Sequence, residues 1–149
     1  MIRPAIHADI GAMLQLGERM HAESRFAPLS FDLDKMARFF AGAIDGADSV
    51  VLVSEREGNI VGGFAGWLCE PYFSREKVSG DFYLFVDREF RGGRDAFALV
   101  RAYVAWAKGV GSRQIDIGIT TGVNLPQTTR LFRAIGFEPV GTIFQYKGG

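Results

Sequence analysis

Three arginines and two adjacent glycines lie within seven residues, at Arg88, Arg91, Gly92, Gly93 and Arg94. They fall between a predicted strand and the first turn of a predicted helix. The free backbone N–H groups of a helix N-terminus and the helix dipole both favour an anion there. Glycines let the oxygens of such a ligand approach the backbone, and the arginines add positive charge. The pattern therefore predicts a site for a pyrophosphate group.

The elements that must position this turn are a strand over Gly80 to Asp87 and a helix over Arg94 to Lys108. In the strand, alternation places one apolar set on one face and a mixed set on the other. The first set is Phe82, Leu84 and Val86; the second is Asp81, Tyr83 and Phe85. The helix has an apolar stripe at helical spacing and stops at Gly109.

The rest of the chain shows no repeat or linker, so we predict one domain over residues 1–149 with an α/β layout. Apolar periodicity and turn residues predict the other elements. The predicted strands cover residues 1–4, 49–54, 60–69, 114–120 and a pair within 137–147, and the predicted helices cover 8–21, 31–44 and 125–135.

Composition excludes several classes of protein and site. The only cysteine is Cys69, so neither an intrachain disulfide nor a cysteine-based zinc site can form, and His7 and His21 are too far apart for a metal motif. We expect no bound metal. The N-terminus lacks the apolar segment of a signal peptide, and no apolar run is long enough to cross a bilayer. These features predict a cytoplasmic protein without a membrane partner.

Charge is divided unevenly although the formal net charge is zero. Residues 1–87 carry 8 Lys/Arg and 13 Asp/Glu, a net −5, whereas residues 88–149 carry 9 and 4, a net +5. This division suits a protein that holds a polyanion on one side and a cation on the other. Simple dipolar solvation is the alternative. The basic residues cluster around one turn and helix and the pI is near 6.7, which argues against a nucleic-acid partner.

The strand-turn-helix segment resembles the acetyl-CoA signature of the GNAT acetyltransferase superfamily, a strand ending in Val and then Arg/Gln-x-x-Gly-x-Gly/Ala. Here the match is Val86 followed by Arg91-Gly-Gly-Arg-Asp-Ala96. A second family feature, an Asn and then a helix ending in Leu-Tyr-x-x-x-Gly-Phe, matches Asn124 and Leu131 to Phe137. The match covers residues 60–147. The segment Met20 to Ser24 is similar to GNAT members that phages often encode.

The resemblance implies a GNAT fold, with a mixed, mostly antiparallel sheet of six to seven strands flanked by about four helices. It also implies an N-acetyltransferase that moves an acetyl group from acetyl-CoA to a primary amine by direct attack. The acceptor would be a small molecule or a peptide, and a homodimer is expected. A non-catalytic CoA-binding or interaction module that retains the fold is the alternative, because fold alone does not fix function.

Carried over by position, the family's acetyl-CoA site would comprise a strand edge, the basic turn and the later helix. Its residues would be Leu84, Phe85, Val86, Arg91, Gly92, Gly93, Arg94, Asp95, Ala96, Asn124 and Phe132. The pantetheine arm would lie in a gap between Leu84 to Val86 and the segment 114–120. The backbone N–H near Val86 would polarise the thioester carbonyl.

Two positions depart from the family pattern. Arg94 stands where the family usually has Gly, so its guanidinium either contacts phosphate or shifts the turn. Phe132 stands where many members have the Tyr that protonates the leaving thiolate, and phenylalanine cannot donate a proton. Because the pKa of the CoA thiol is only moderately above neutrality, the departure of the thiolate does not require a dedicated acid.

The candidate catalytic residues are carboxylates and tyrosines near the motif strand. Asp81 on that strand and Glu70 at the end of the preceding one are candidate bases, with a solvated strand-end carboxylate as the alternative for each. Tyr146, Tyr83 and Tyr103 are candidate acids, although core packing is the alternative role for Tyr103. A dinucleotide fingerprint is rejected, since the Gly-x-Gly at Gly109 precedes a strand rather than a helix.

Overall fold

Four strands and four helices lie within residues 1–148, the part of the chain that the computed structural model describes. The strands are β1 (Ile2–Pro4), β2 (Ser49–Arg56), β3 (Asn59–Cys69) and β4 (Val78–Val86). The helices are α1 (Ile10–Glu23), α2 (Leu33–Asp45), α3 (Asp95–Gly109) and α4 (Leu125–Ile135). The predicted α/β class and the four helices are confirmed.

The strands form one sheet in the order β1-β2-β3-β4, and every neighbouring pair is antiparallel. The β2–β3 hairpin closes through Glu57 and Gly58, whose φ angles of 51° and 82° are both positive. A two-residue turn with positive φ matches the right-handed twist of the strands that it joins. Consecutive strands are therefore neighbours throughout this sheet.

The helices cover both faces of the sheet because β2 and β3 are apolar on both sides. On one face, α1 and α2 pack Met13 and Phe40 against Val53. On the other face, α3 packs Leu99 and Tyr103 against residues that include Phe64, which is fully buried. The β2–β3 pair is buried on both faces. It positions β4, which pairs with β3, and α3, which packs on the sheet.

The expectation of six to seven strands was wrong, because residues 1–148 form four. The segment predicted as a strand over residues 114–120 joins β4 only through one parallel bridge, between Ser79 and Ile115. The backbone pairing ends at Asp116, whose N–H donates to the Ser79 carbonyl oxygen. Beyond it, the Gly118 N–H donates to the Asp81 side chain at 2.8 Å. A carboxylate thus replaces the next backbone acceptor, and the segment leaves the sheet.

The predicted closing strand pair over residues 137–147 was also wrong. Within the described residues, the Phe137 N–H donates to the Phe132 carbonyl oxygen, and no later backbone group pairs with the sheet. Val140, Phe144 and Tyr146 are about nine-tenths exposed. Alternating apolar residues have a propensity for strand but need an edge to pair with. The edge that would serve them, residues 117–120, has itself left the sheet.

A bulge in β4 corrects the predicted alternation of its side chains. Ala65 pairs with Tyr83 and Gly66 pairs with Asp81, so Phe82 is an extra residue without a partner on β3. Its ring packs edge-to-face on Phe39 of α2, with 4.9 Å between centroids. Phe82 therefore lies on the α2 side of the sheet and not with Leu84 on the α3 side.

Among the helices of residues 1–148, none combines the length and the apolar character that crossing a membrane requires.

Candidate functional site

A cavity of about 970 Å³ opens beside β4, between helices α1 and α2 on one side and α4 on the other. Ligand sites of small molecules commonly have volumes of roughly 300 to 1,000 Å³. Most of the residues that the sequence predicted for a functional site line this cavity. They are Asp81, Leu84, Phe85, Val86, Arg91, Gly92, Gly93, Ala96, Asn124 and Phe132.

The free edge of β4 forms one wall. The Asp87 N–H donates to the Val61 carbonyl oxygen of the β3 edge at 2.7 Å. Because backbone groups alternate between the two edges of a strand, the N–H groups of Leu84 and Val86 face away from β3. The segment that bonds to β4 at Ser79 has already diverged at this level. The two backbone donors thus face the cavity, as a strand would present them to an extended ligand.

The turn before α3 forms the adjoining wall. Gly92 has φ +84°, and a Cβ there would meet no atom within 4 Å, so the turn is open on its outer side. Arg94 precedes the helix without a side-chain cap on the first-turn N–H groups. The positive end of the α3 dipole and these donors favour a bound anion. An oxyanion or phosphate group fits this turn.

Arg91 connects the turn to the end of β4. Its Nε donates to the Val86 carbonyl oxygen at 3.0 Å, and its guanidinium carbon lies 5.4 Å from the centroid of the Phe85 ring. The same guanidinium forms an ion pair with both carboxylate oxygens of Glu23 at the end of α1, and Arg88 also donates to Glu23 Oε2 at 3.0 Å. Hydrogen bonds from Arg91 and then Arg88 hold the pKa of Glu23 below its usual range, against the effect of burial.

This ion pair was missed from the sequence because Glu23 and Arg91 are 68 residues apart. No local pattern around either residue indicates this contact. In the structure Arg91, the main cation of the turn, is already paired with the Glu23 carboxylate. A phosphate bound here would therefore share or displace Glu23.

Arg94 and Asp95, both predicted for the anion site, do not line the cavity. The Asp95 carboxylate is buried and turns to β2, where it accepts hydrogen bonds from Ser54 Oγ at 2.5 Å and Arg56 at 2.6 Å. Burial raises the pKa of Asp95, but these hydrogen bonds outweigh it and bring the pKa below its usual value. Asp95 fastens the start of α3 to the sheet.

Asp95→Ala is expected to destabilise the fold by roughly 2 kcal/mol, since it leaves the buried Ser54 hydroxyl and Arg56 without their acceptor. This corresponds to a fall of about 4 to 8 °C in melting temperature at pH 7. Because folding lowers this pKa, the contribution is complete above the unfolded value near 4 and is lost as the pH falls through the folded value. Thermal unfolding of wild type and Asp95→Asn between pH 3 and 7 measures it; a constant difference across that range would contradict the assignment.

Asp81 lies at the start of the open part of the β4 edge. Its Oδ1 accepts the Gly118 N–H at 2.8 Å, and the side chain lines the cavity. Burial raises the pKa of Asp81, and the Gly118 hydrogen bond only partly offsets this effect. A carboxylate of raised pKa beside an anion-binding turn is suited to accept a proton.

The other candidate catalytic groups lie elsewhere. Glu70 follows β3 and is exposed, four residues beyond the Gly66 that pairs with Asp81, a separation of roughly 13 Å along the strand. Tyr146 is exposed in the C-terminal segment and donates to the Gly148 carbonyl oxygen. Tyr103 is fully buried and donates to the Asp116 carbonyl oxygen at 2.8 Å. Of the candidate acids only Tyr83 lines the cavity, and burial raises its pKa far above 10.

The end of the cavity toward α1 and α2 is largely apolar, although Ser30, Asp32 and Lys35 also line it, and the sequence did not predict this surface. It is lined by side chains that include Met20, Phe31, Met36, Phe39 and Phe82. The bulge in β4 brings Phe82 beside Phe39 of α2. Within residues 1–148 no group of three His, Cys, Asp or Glu side chains could hold a metal ion.

Comparisons with known proteins agree with this geometry. A model of the acetyltransferase (GNAT) family matches residues 17–137. Solved structures of similar fold include an aminoglycoside 6'-N-acetyltransferase from Acinetobacter haemolyticus (14% identity, TM-score 0.76, covering 100% of this chain and 98% of that one). The glucosamine-6-phosphate N-acetyltransferase of Arabidopsis thaliana is another (16%, 0.77, 100% and 98%).

A third similar structure is AAC(6')-Iy in complex with a bisubstrate analogue, CoA-S-monomethyl-acetylneamine (17% identity, TM-score 0.79, covering 100% of this chain and 97% of that one). At these identities the likeness shows a shared fold. No curated protein sequence matches the chain.

Proposed function

The chain belongs to the acetyltransferase (GNAT) family, and from its cavity we propose that it transfers an acetyl group from acetyl-CoA to a primary amine. One observation carries the proposal: the open β4 edge, with the Leu84 and Val86 N–H groups, leads through one short 3-10 turn (Arg88–Phe90) to the Arg91-Gly92 turn at the start of α3. A ligand with an extended amide arm and a pyrophosphate matches these two features in this order.

The residues present fit acetyl-CoA in size and charge. We assign the pyrophosphate to Arg91, Gly92 and Gly93 with the first N–H groups of α3, and the pantetheine arm to the β4 edge. Ala96 on α3 and Asn124 at the start of α4 line the same cavity. Glu23 must give up part of its contact with Arg91 when phosphate binds. Support comes from the similar structure that holds a CoA-containing analogue.

The proposed chemistry needs one base and one oxyanion donor. Acetyl-CoA supplies the activated acetyl group when bound. The Val86 N–H donates to the thioester carbonyl oxygen and stabilises the negative charge that develops as the amine nitrogen bonds to the carbonyl carbon. Asp81 accepts the proton that this nitrogen loses, directly or through one water. The carbon–sulfur bond then breaks, and the sulfur leaves as thiolate.

No acid is assigned to the departing sulfur. Phe132 on α4 is buried and packs near Phe137, with 6.0 Å between ring centroids, and it carries no hydroxyl. A thiolate is a far better leaving group than an alkoxide, so expulsion without a protein acid is chemically reasonable. Phe132 instead gives the α4 wall an apolar surface.

Calorimetric titration with acetyl-CoA is the direct test. We expect a dissociation constant in the micromolar range, about −8 kcal/mol, with desulfo-CoA binding comparably and NAD not binding. A thiol-release assay with a panel of amines then tests transfer. Failure of acetyl-CoA to bind would refute the proposal. Binding without thiol release from any amine would favour a non-catalytic CoA-binding module.

A further inference from the structure

The acceptor end of the cavity has walls of aromatic rings and thioethers. Phe82 protrudes from the β4 bulge and is half exposed, and its ring meets Phe39 edge-to-face. Phe31 lies opposite on the segment before α2, with its ring centroid 5.3 Å from that of His21. Met20 and Met36 complete this surface. Large apolar side chains that line a cavity and stay partly exposed favour an apolar ligand.

Several polar groups at this end already have partners, and the side chain of Lys35 is exposed. Asp32 Oδ1 accepts the Lys35 N–H as the cap of α2, and Ser24 Oγ donates to the His21 carbonyl oxygen. His21 Nε2 lies 2.5 Å from the Leu29 carbonyl oxygen. Glu23 is bound by two arginines. Asp81 also has a partner, since its Oδ1 accepts the Gly118 N–H, but unlike Asp32 it is partly buried and lies on β4, near the Leu84 and Val86 N–H groups. We therefore assign the substrate nitrogen to this carboxylate.

We propose that the acceptor is a primary amine with one nitrogen joined through a short aliphatic linker to an aromatic ring, the arrangement that Asp81 and the Phe31, Phe39 and Phe82 walls would bind. This inference rests on the proposed acetyl transfer and names its substrate class. The ring packs against the three phenylalanines while the nitrogen reaches Asp81 at the boundary with the β4 edge.

A polyhydroxylated or polycationic amine fits this surface poorly. Each hydroxyl or ammonium group buried against the rings would lose water without gaining a partner. The similar structures include enzymes named for aminoglycosides and for glucosamine 6-phosphate, which are polyhydroxylated amines. The aromatic lining of this cavity favours a different class of acceptor.

The test compares 2-phenylethylamine, glucosamine and spermidine as acceptors, at saturating acetyl-CoA and over pH 7 to 9 so that their different basicities are separated. Burying the phenyl group is expected to give 2-phenylethylamine a kcat/KM at least about 30-fold above the other two. Direct titration of each amine into the protein saturated with desulfo-CoA gives the same comparison without turnover.

Phe82→Ser probes the wall itself, since Phe82 is half exposed and unpaired in the ladder. It should lower kcat/KM for 2-phenylethylamine by about 5-fold or more, with acetyl-CoA affinity unchanged. Phe73→Ser is the matched control, because Phe73 is exposed and packs on Tyr72 outside this cavity, and it should have no effect.

The outcomes separate the two proposals. Acetyl-CoA binding together with equal or better use of glucosamine or spermidine would overturn the aromatic class and leave acetyl transfer standing. Equal binding of all three amines without turnover would overturn it too. Failure of acetyl-CoA to bind would remove both proposals.

Discussion

Arg91→Ala is expected to weaken acetyl-CoA binding by roughly 10- to 100-fold, the loss associated with one or two charge-assisted hydrogen bonds to phosphate. The guanidinium is held at the mouth of the turn by the Val86 carbonyl oxygen and the Phe85 ring. That placement orders the side chain before any ligand arrives, so little rotamer entropy is lost on binding. Calorimetric titration of wild type and variant with acetyl-CoA measures the effect.

Arg94→Ala is the matched control, three residues away in the same turn. Its side chain does not line the cavity, so we expect a change in affinity of less than about 3-fold, from long-range charge alone. Glu23→Gln adds a second comparison, because it removes the carboxylate that occupies Arg91 and should tighten binding. Equal affinities of wild type and Arg91→Ala, with unchanged melting temperature, would rule out the assigned phosphate site.

Local sequence signals predicted the turn and its flanking elements well. The bounds of α4 were predicted to the residue with Gly136 as its stop, and in the structure the flanking Asn124 and Gly136 both have positive φ. The N-terminus of α3 was predicted within one residue of Asp95. Such signals work because they depend on backbone preferences of a few neighbouring residues.

What the sequence did not predict depends on contacts between distant segments. The strand pattern over residues 114–120 is real, but Asp81 takes the Gly118 N–H and ends the ladder. The Glu23–Arg91 ion pair joins α1 to the turn. Asp95 points away from the cavity and forms an ion pair with Arg56 of β2. Contacts between side chains of distant segments produce no periodic pattern in the sequence. The resemblance to a family motif therefore indicated which residues belong to the site but not which side chains they would contact.

The bulge at Phe82 shows how one extra residue changes which face of the sheet a side chain of β4 occupies. Strict alternation would place Phe82 on the α3 face with Leu84, leaving the acceptor end without its aromatic wall. With the extra residue, Asp81 stays at the β4 edge while Phe82 reaches Phe39. Asp81 and Phe82 therefore point to different faces of the sheet but line the same cavity at its open edge.

Asp81→Asn is expected to lower kcat by about 10²- to 10⁴-fold while acetyl-CoA affinity stays the same, the usual effect of removing a general base. The amide keeps the volume of the side chain and an oxygen that can still accept the Gly118 N–H, so the local backbone should be preserved. Glu70→Gln is the control, since Glu70 is exposed and distant from the cavity, and it should leave kcat unchanged.

The pH dependence gives a second readout of the same variant. Only the carboxylate form of Asp81 accepts a proton, and burial raises its pKa above the usual range. The ratio of wild-type to Asp81→Asn kcat/KM should therefore be largest at high pH and fall as the pH drops through that raised pKa. Ionisation of the amine affects both proteins equally and cancels in the ratio. A ratio that stays constant with pH, or full activity of Asp81→Asn, would move the base away from Asp81 to solvent.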